Sequence, residues 1–156
     1  MTEFKNASSE NRFKILFTNH TDLNDSILTG QIPGFSYPPS ITQYYGENAK
    51  IPGDNYDVDD MIITFKLDED YTNYLSIFSW INNNFTYAND VDNMIFDSID
   101  YIVLNAKYNP IFSFSMGYVF PIAVSEIGHT TQSGEAQELE FSATFVINTI
   151  QLNESI

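Results

Sequence analysis

Twenty-one carboxylates and two histidines are the groups in this chain best suited to holding a metal or moving a proton. Their spacing decides what they can do. The run Asp54-Asn55-Tyr56-Asp57-Val58-Asp59-Asp60 resembles a calcium loop only loosely. Asp59 and Phe65 stand where an EF-hand needs its sixth-position glycine and closing glutamate. Asp90-Val91-Asp92 is shorter still. A glycosidase needs two carboxylates facing each other across a cleft, and so many acids make close pairs inevitable. His20 and His129 lie in polar turn sequence, in no His-x-x-x-His spacing. There is no Gly-x-Ser-x-Gly elbow and no phosphate-cradling glycine loop. The residues therefore nominate no catalytic site, no metal and no cofactor. What remains is contact chemistry. Tyr37, Tyr44 and Tyr45 combine a flat apolar ring with a polar tip, suited to stacking on a sugar or to burial between subunits. Ile51, Pro52 and Trp80 join them as candidate inter-subunit contacts, Trp80 being read as a core or interface residue.

Composition narrows the partners. The formal net charge is −15, from 21 acids against 6 Lys and Arg. Binding nucleic acid by neutralising phosphates needs clustered cations, so that class is excluded. With 43% hydrophobic and 15% aromatic residues, the 156-residue chain can bury a core and reads as one domain. It has no cysteine, which excludes a disulfide framework or a thiolate zinc site. The opening MTEFKNASSENRFK lacks the apolar stretch of a secretory signal. No apolar run approaches the eighteen or so residues of a membrane span, so a soluble protein with no membrane partner is expected.

The elements that must position these groups are mostly strands. Residues 1–11 read as a polar arm. Arg12 to Phe17 alternates as a first strand and Ile27 to Ile32 as a second. From Pro33 to Tyr56 the chain loses its periodicity and carries four prolines and three glycines. A stretch of that length is usually functional or folds against a neighbour; a short strand is expected near Thr42–Tyr45. Val58 to Leu67 alternates again. The period then changes: Asp68-Glu69-Asp70 supplies acids where a helix N-terminus favours them. Tyr71, Tyr74, Leu75, Phe78 and Ile81 recur at helical spacing, and Asn82-Asn83-Asn84 is read as the stop, giving a helix over 69–82. Ile99 to Tyr108 is another strand pattern. The last third, Ser113 to Leu152, reads as two long strands joined by a turn near Gly128–Gly134. Phe112, Phe114, Met116 and Tyr118 form one row of the first, and Leu139, Phe141, Ala143, Phe145 and Ile147 one row of the second. The expected fold is mainly β with one α-helix, an antiparallel β-sandwich or barrel-like domain.

Taken in order, these elements resemble the tail tube protein of contractile-tailed bacteriophages, a fold shared with the secreted tube protein of type VI secretion systems. The resemblance runs across nearly the whole chain. It is carried by Phe13–Phe17, by Ile32-Pro33-Gly34 and by the loop to Ile51-Pro52-Gly53-Asp54. Further on come the strand entry Asp59-Asp60-Met61-Ile62-Ile63-Thr64, the helix end Phe78-Ser79-Trp80, the run Phe114 to Pro121 and a closing strand over 139–150. It implies a structural, non-enzymatic virion protein, made in the host cytoplasm. Six copies would close into a ring with a continuous inner β-barrel, and rings would stack into a tube, the 33–56 loop reaching the adjacent ring. It implies tail sheath and baseplate partners, and viral DNA passing through the lumen without specific binding. Six times −15 gives a ring about −90, and such a bore repels phosphate. The abundance of Asn and Tyr leaves open a specialised tube-initiator or baseplate ring of the same fold. From another class, Tyr37, Tyr44 and Tyr45 leave open a β-sandwich carbohydrate-binding module.

Overall fold

The computed structural model describes residues 7–44, 46–132, 134 and 137–154. In chain order the strands are β1 (Phe13–Phe17), β2 (Ile27–Thr29), β3 (Phe35–Ser36), β4 (Ser40–Tyr44), β5 (Glu47–Ile51), β6 (Asp57–Val58) and β7 (Met61–Lys66). A helix, α1 (Thr72–Thr86), follows, then β8 (Asp97–Leu104), β9 (Pro110–Val124), β10 (Glu140–Val146) and β11 (Thr149–Glu154). A 3-10 turn, Thr21–Ser26, joins β1 to β2.

Alternation makes the strands, and β9 joins them into one body. Seven strands run in the order β1-β8-β9-β10-β7-β2, with β11 also on β9. All pairings are antiparallel. The first half of β9 lies between β8 and β11, and its second half pairs with β10. β9 therefore belongs to both leaves of a sheet that curls until it nearly closes into a barrel. The seam falls between β1 and β2, where Gly30 sits so close to the Ile15 side chain that a Cβ would collide with it. Inside, β7 sends in Met61, Ile63 and Phe65, and β10 sends in Phe141, Ala143 and Phe145, all essentially inaccessible. Phe65 packs ring on ring with Phe141, centroids 5.3 Å apart. Each of the Met, Ile and Phe side chains stabilises by roughly 1.5–3 kcal/mol through burial.

Several sequence expectations shift. The row Phe112, Phe114, Met116, Tyr118 breaks after Met116. Asp97 faces Val119 and Ile99 faces Met116, so Ser98 stands opposite both Gly117 and Tyr118. This bulge turns Tyr118 out to solvent with φ +52° and brings Val119 into the core. A second irregularity opposite Thr144/Phe145 leaves Ile122 unpaired, so Pro121 stays inside the strand instead of ending it. The helix runs over Thr72–Thr86 instead of 69–82. Tyr71 takes φ +61° and delays the start. The Asn83 and Asn84 side chains bond the Asn93 and Ile95 carbonyls, so they anchor a continuing helix instead of stopping it. The second strand is only Ile27–Thr29, and the irregular 33–56 stretch contains β3, β4 and β5.

Candidate assembly surface

Free edges come first. Among the described residues β1 bonds only β8, β2 only β7, and β11 only β9. On β1 the Asn24 side chain already accepts from the Phe17 amide and donates to its carbonyl; β2 and β11 leave backbone donors and acceptors on one side, the feature that templates pairing with another chain. Beside the β11 edge lies an apolar hollow of about 310 Å³ lined by Ile32, Pro33, Phe35, Phe114, Ile150 and Leu152. Leu152 is half exposed there.

The second feature is the hairpin β4–β5. It pairs Ser40 with Ile51 through to Tyr44 with Glu47 and turns at Gly46, whose φ of +81° suits glycine. It is separate from the seven-stranded sheet, and Ile41 at its face is 69% exposed. Its base is tied down locally. The Tyr37 hydroxyl donates to the Gly53 carbonyl. A Cβ at Gly53 would strike the Pro38 carbonyl oxygen at 2.5 Å. Below the base β3 pairs β6, and Phe35 packs on Tyr56 with ring centroids 5.1 Å apart.

Of the candidate contact residues, Tyr37, Ile51 and Pro52 are exposed on or beside this hairpin. Tyr45 and the side chain of Tyr44 lie outside the described residues. Trp80 is elsewhere: it is 2% exposed, its indole Nε1 donating to the Ile95 carbonyl at 2.7 Å. It packs inside its own molecule and offers no surface to a neighbour.

Trp80 belongs to a cluster that sequence reasoning missed. The His20 ring stacks on it, centroids 4.0 Å apart and planes within 7°. His20 Nδ1 lies 2.7 Å from Asp97 Oδ2, and the Asp97 side chain has no exposed surface. Burial pushes the Asp97 carboxyl up, but the His20 hydrogen bond, the backbone amides of Ser98 and Asn19 and the His20 charge outweigh it, so its pKa lies below the usual carboxylate value. The signal was present: Asp97, Ile99 and Tyr101 alternate on the inward face, so an acid stood at a core position. This pair ties the β1 exit, helix and β8 entry together; its ring is occupied by stacking and its carboxylate by structural donors.

Acid also concentrates at one end of the barrel. Asp22, Asp25, Asp68, Glu69 and Glu138 surround a cavity of about 750 Å³. Lys66 is the only base in its lining, and it sits 3.3 Å from Glu138.

Solved structures with this arrangement include the cap that terminates the anti-feeding prophage tube, at TM-score 0.74 and 11% identity over 99% of this chain and 96% of that one. The sheath–tube complex of the PVC extracellular contractile injection system matches at 0.67 and 13%, over 96% and 93%. The SPP1 tail tube matches at 0.57 and 12%, over 96% and 81%. The chain has the tail-tube fold. Hcp1 from Flavobacterium johnsoniae matches at 0.52 and 8% identity, over 92% and 96%. No family model matches the sequence. No curated protein matches it either. At 8–13% identity the likeness is one of fold.

Proposed function

We propose that this chain is a structural subunit of a contractile tail tube. Six copies close into a ring, and rings stack into a tube whose acidic bore lets DNA pass without holding it. The observation that carries the reading is end-to-end likeness. The match spans 96–99% of this chain and 93–99% of chains from sheath–tube, cap and terminator assemblies. The surface supports it. The unpaired edge of β11 suits lateral pairing into a ring, which would bury an edge that otherwise invites aggregation. The projecting β4–β5 hairpin, with Tyr37, Ile51 and Pro52, suits contact with the next ring. The charge of −15 per copy suits a conduit for a polyanion. Sheath and baseplate proteins are its partners, the virion tail its place, and its role is structural, without catalysis.

A second reading has one observation in its favour. The likeness to the tube-terminating cap and to the sheath/tube terminator, at TM-scores 0.74 and 0.71, exceeds that to the sheath–tube complex at 0.67. A specialised ring at one end of a tube would have the same fold and would not elongate. Negative-stain microscopy with sedimentation on one concentrated sample separates the cases. Hollow tubes are expected for the main subunit and single rings for an end component. Monomers alone, at every concentration and salt, would sink both.

A further inference from the structure

Two of the chain's six bases stand together in one hollow. Arg12, just before β1, and Lys107, in the turn between β8 and β9, line a space of about 470 Å³ whose walls also include Leu104, Ala106 and Ile111. No acid lines it, in a chain with 21 of them, and among the described residues neither base has a carboxylate partner. The turn is held in shape by the Asn105 side chain, which accepts from the Lys107 and Asn109 amides. A guanidinium and an ammonium beside aliphatic walls suit carboxylates that flank an apolar group. A phosphate backbone fits less well, because two cations on a body of −15 neutralise too few charges.

One segment of the chain has the complementary form. Asp90, Val91 and Asp92 lie in the connection between α1 and β8, where a short 3-10 turn covers Val91–Asn93. Val91 is 69% exposed, and both flanking aspartates are exposed. The other acidic runs offer no such knob: Val58 of the 54–60 run packs partly against the core, and Asp68 and Glu69 surround the cavity at the barrel end. The knob is shaped before any contact, because the Asn83 and Asn84 side chains bond the Asn93 and Ile95 carbonyls and the Asn93 side chain donates to Asp90. Preorganisation of both halves removes part of the ordering cost of association. Within one copy the halves stand apart: the knob precedes β8 and the hollow follows it, and the eight residues of that strand span about 23 Å. We propose that the Asp90-Val91-Asp92 knob of one copy seats in the Arg12/Lys107 hollow of the next, with Val91 on the aliphatic walls and the two carboxylates on the two bases. Knob and hollow are different patches, so the contact is heterologous, and repeating it yields a closed ring or an open stack. Copies must meet for this, so the contact rests on the tube reading. Ion pairs shut inside a contact are screened less than net charge at a distance, so salt that relieves repulsion between copies leaves them in place.

Charge reversal on the full chain tests the contact. Arg12→Glu/Lys107→Glu spoils the hollow, and Asp90→Lys/Asp92→Lys spoils the knob. Each variant alone is expected to self-associate about tenfold or more weakly than wild type in sedimentation, with its melting curve unchanged. Mixed in equal amounts the two are expected to recover, because each reversed hollow then meets a reversed knob and each native hollow a native knob. Should either double variant fail to fold, Lys107→Glu and Asp92→Lys serve as the pair. Rings in either variant as readily as in wild type would sink the contact alone. A mixture as weak as its parts overturns it too, since the losses would then be structural. So does binding of a short DNA duplex that Arg12→Glu/Lys107→Glu abolishes, which would give the hollow to phosphate. Wild type and mixture both monomeric at every concentration would sink contact and tube together. Recovery in the mixture as short open chains, without hollow rings, would sink the tube reading alone.

Discussion

At the residue scale, the Asp97 carboxylate makes the sharpest claim. It accepts from the backbone amides of Asn19 and Ser98 and pairs with His20, with none of its surface in water. Asp97→Asn keeps the shape but loses the charge-assisted bonds. A fall of about 2–4 kcal/mol in unfolding free energy is expected from urea melts at neutral pH. The pH dependence follows from the lowered pKa. The unfolded carboxyl titrates near 3.9, so the contribution of Asp97 is complete above that value and drains away as pH falls through its lower folded value. Urea midpoints from pH 6 to pH 3 should therefore drop more steeply in the wild type than in Asp97→Asn. Parallel curves would remove Asp97 as the source. Tyr108 tests backbone strain instead. It is 61% exposed at φ +61° in the turn between β8 and β9, where Asn105 Oδ1 accepts from the Lys107 and Asn109 amides. Glycine there sheds the left-handed penalty, and Tyr108→Gly is expected to stabilise by about 1 kcal/mol. The inward place of Asp97 was legible in the strand alternation; its partner was not. His20 and Asp97 are 77 positions apart, and only the β1–β8 pairing brings them together.

At the scale of elements, the sequence was most informative where one face is buried. The alternation of 61–67 and of 139–147 became β7 and β10, with Ile63 and Phe65 set against Ala143 and Phe141 in register. It misled where side chains compete with the backbone. Three consecutive asparagines look like a helix stop, yet Asn84 both donates to the Ile95 carbonyl and accepts from its amide, holding the last turn in place. The bulge at Tyr118 was invisible for another reason: an extra residue changes which side chain faces inward without changing the apolar pattern. The contact residues divide the same way. Tyr37, Ile51 and Pro52 are surface groups as their Pro- and Gly-rich setting suggests, whereas Trp80 is withdrawn by its stack on His20. The β4–β5 hairpin is off the main sheet, and none of its described side chains enters the core. Replacing residues 41–50 by a short Gly-Ser turn is expected to move the unfolding midpoint little while abolishing stacking of rings. Calorimetry beside microscopy checks both halves, and intact tubes in the deletion would free the hairpin of any role between rings.

For the whole molecule, charge sets the terms of assembly. With −15 on each copy, closing the proposed ring at low salt works against a repulsion between copies. The Debye length shrinks from about 30 Å at 0.01 M to about 3 Å at 1 M, so salt should promote closure. Sedimentation across that range is expected to show rings and tubes growing at the expense of monomer. The opposite trend would mean that attractive ion pairs hold the subunits together. Composition alone announced this much, because net charge needs no fold. The likeness to tube proteins at 8–13% identity needed the order of elements, in which strand, irregular loop, strand, helix and long strands follow one another.

The sharing of β9 between two leaves has a mechanical corollary. A strand of fifteen residues that hydrogen-bonds β8 and β11 along one half and β10 along the other is a common chord. A load pulling on either leaf must be carried by it, and neither leaf can peel away while the other stays whole. Such a body is brittle: it resists stretching stiffly, then fails everywhere at once. In the tube proposed above, that trait would keep length constant under load.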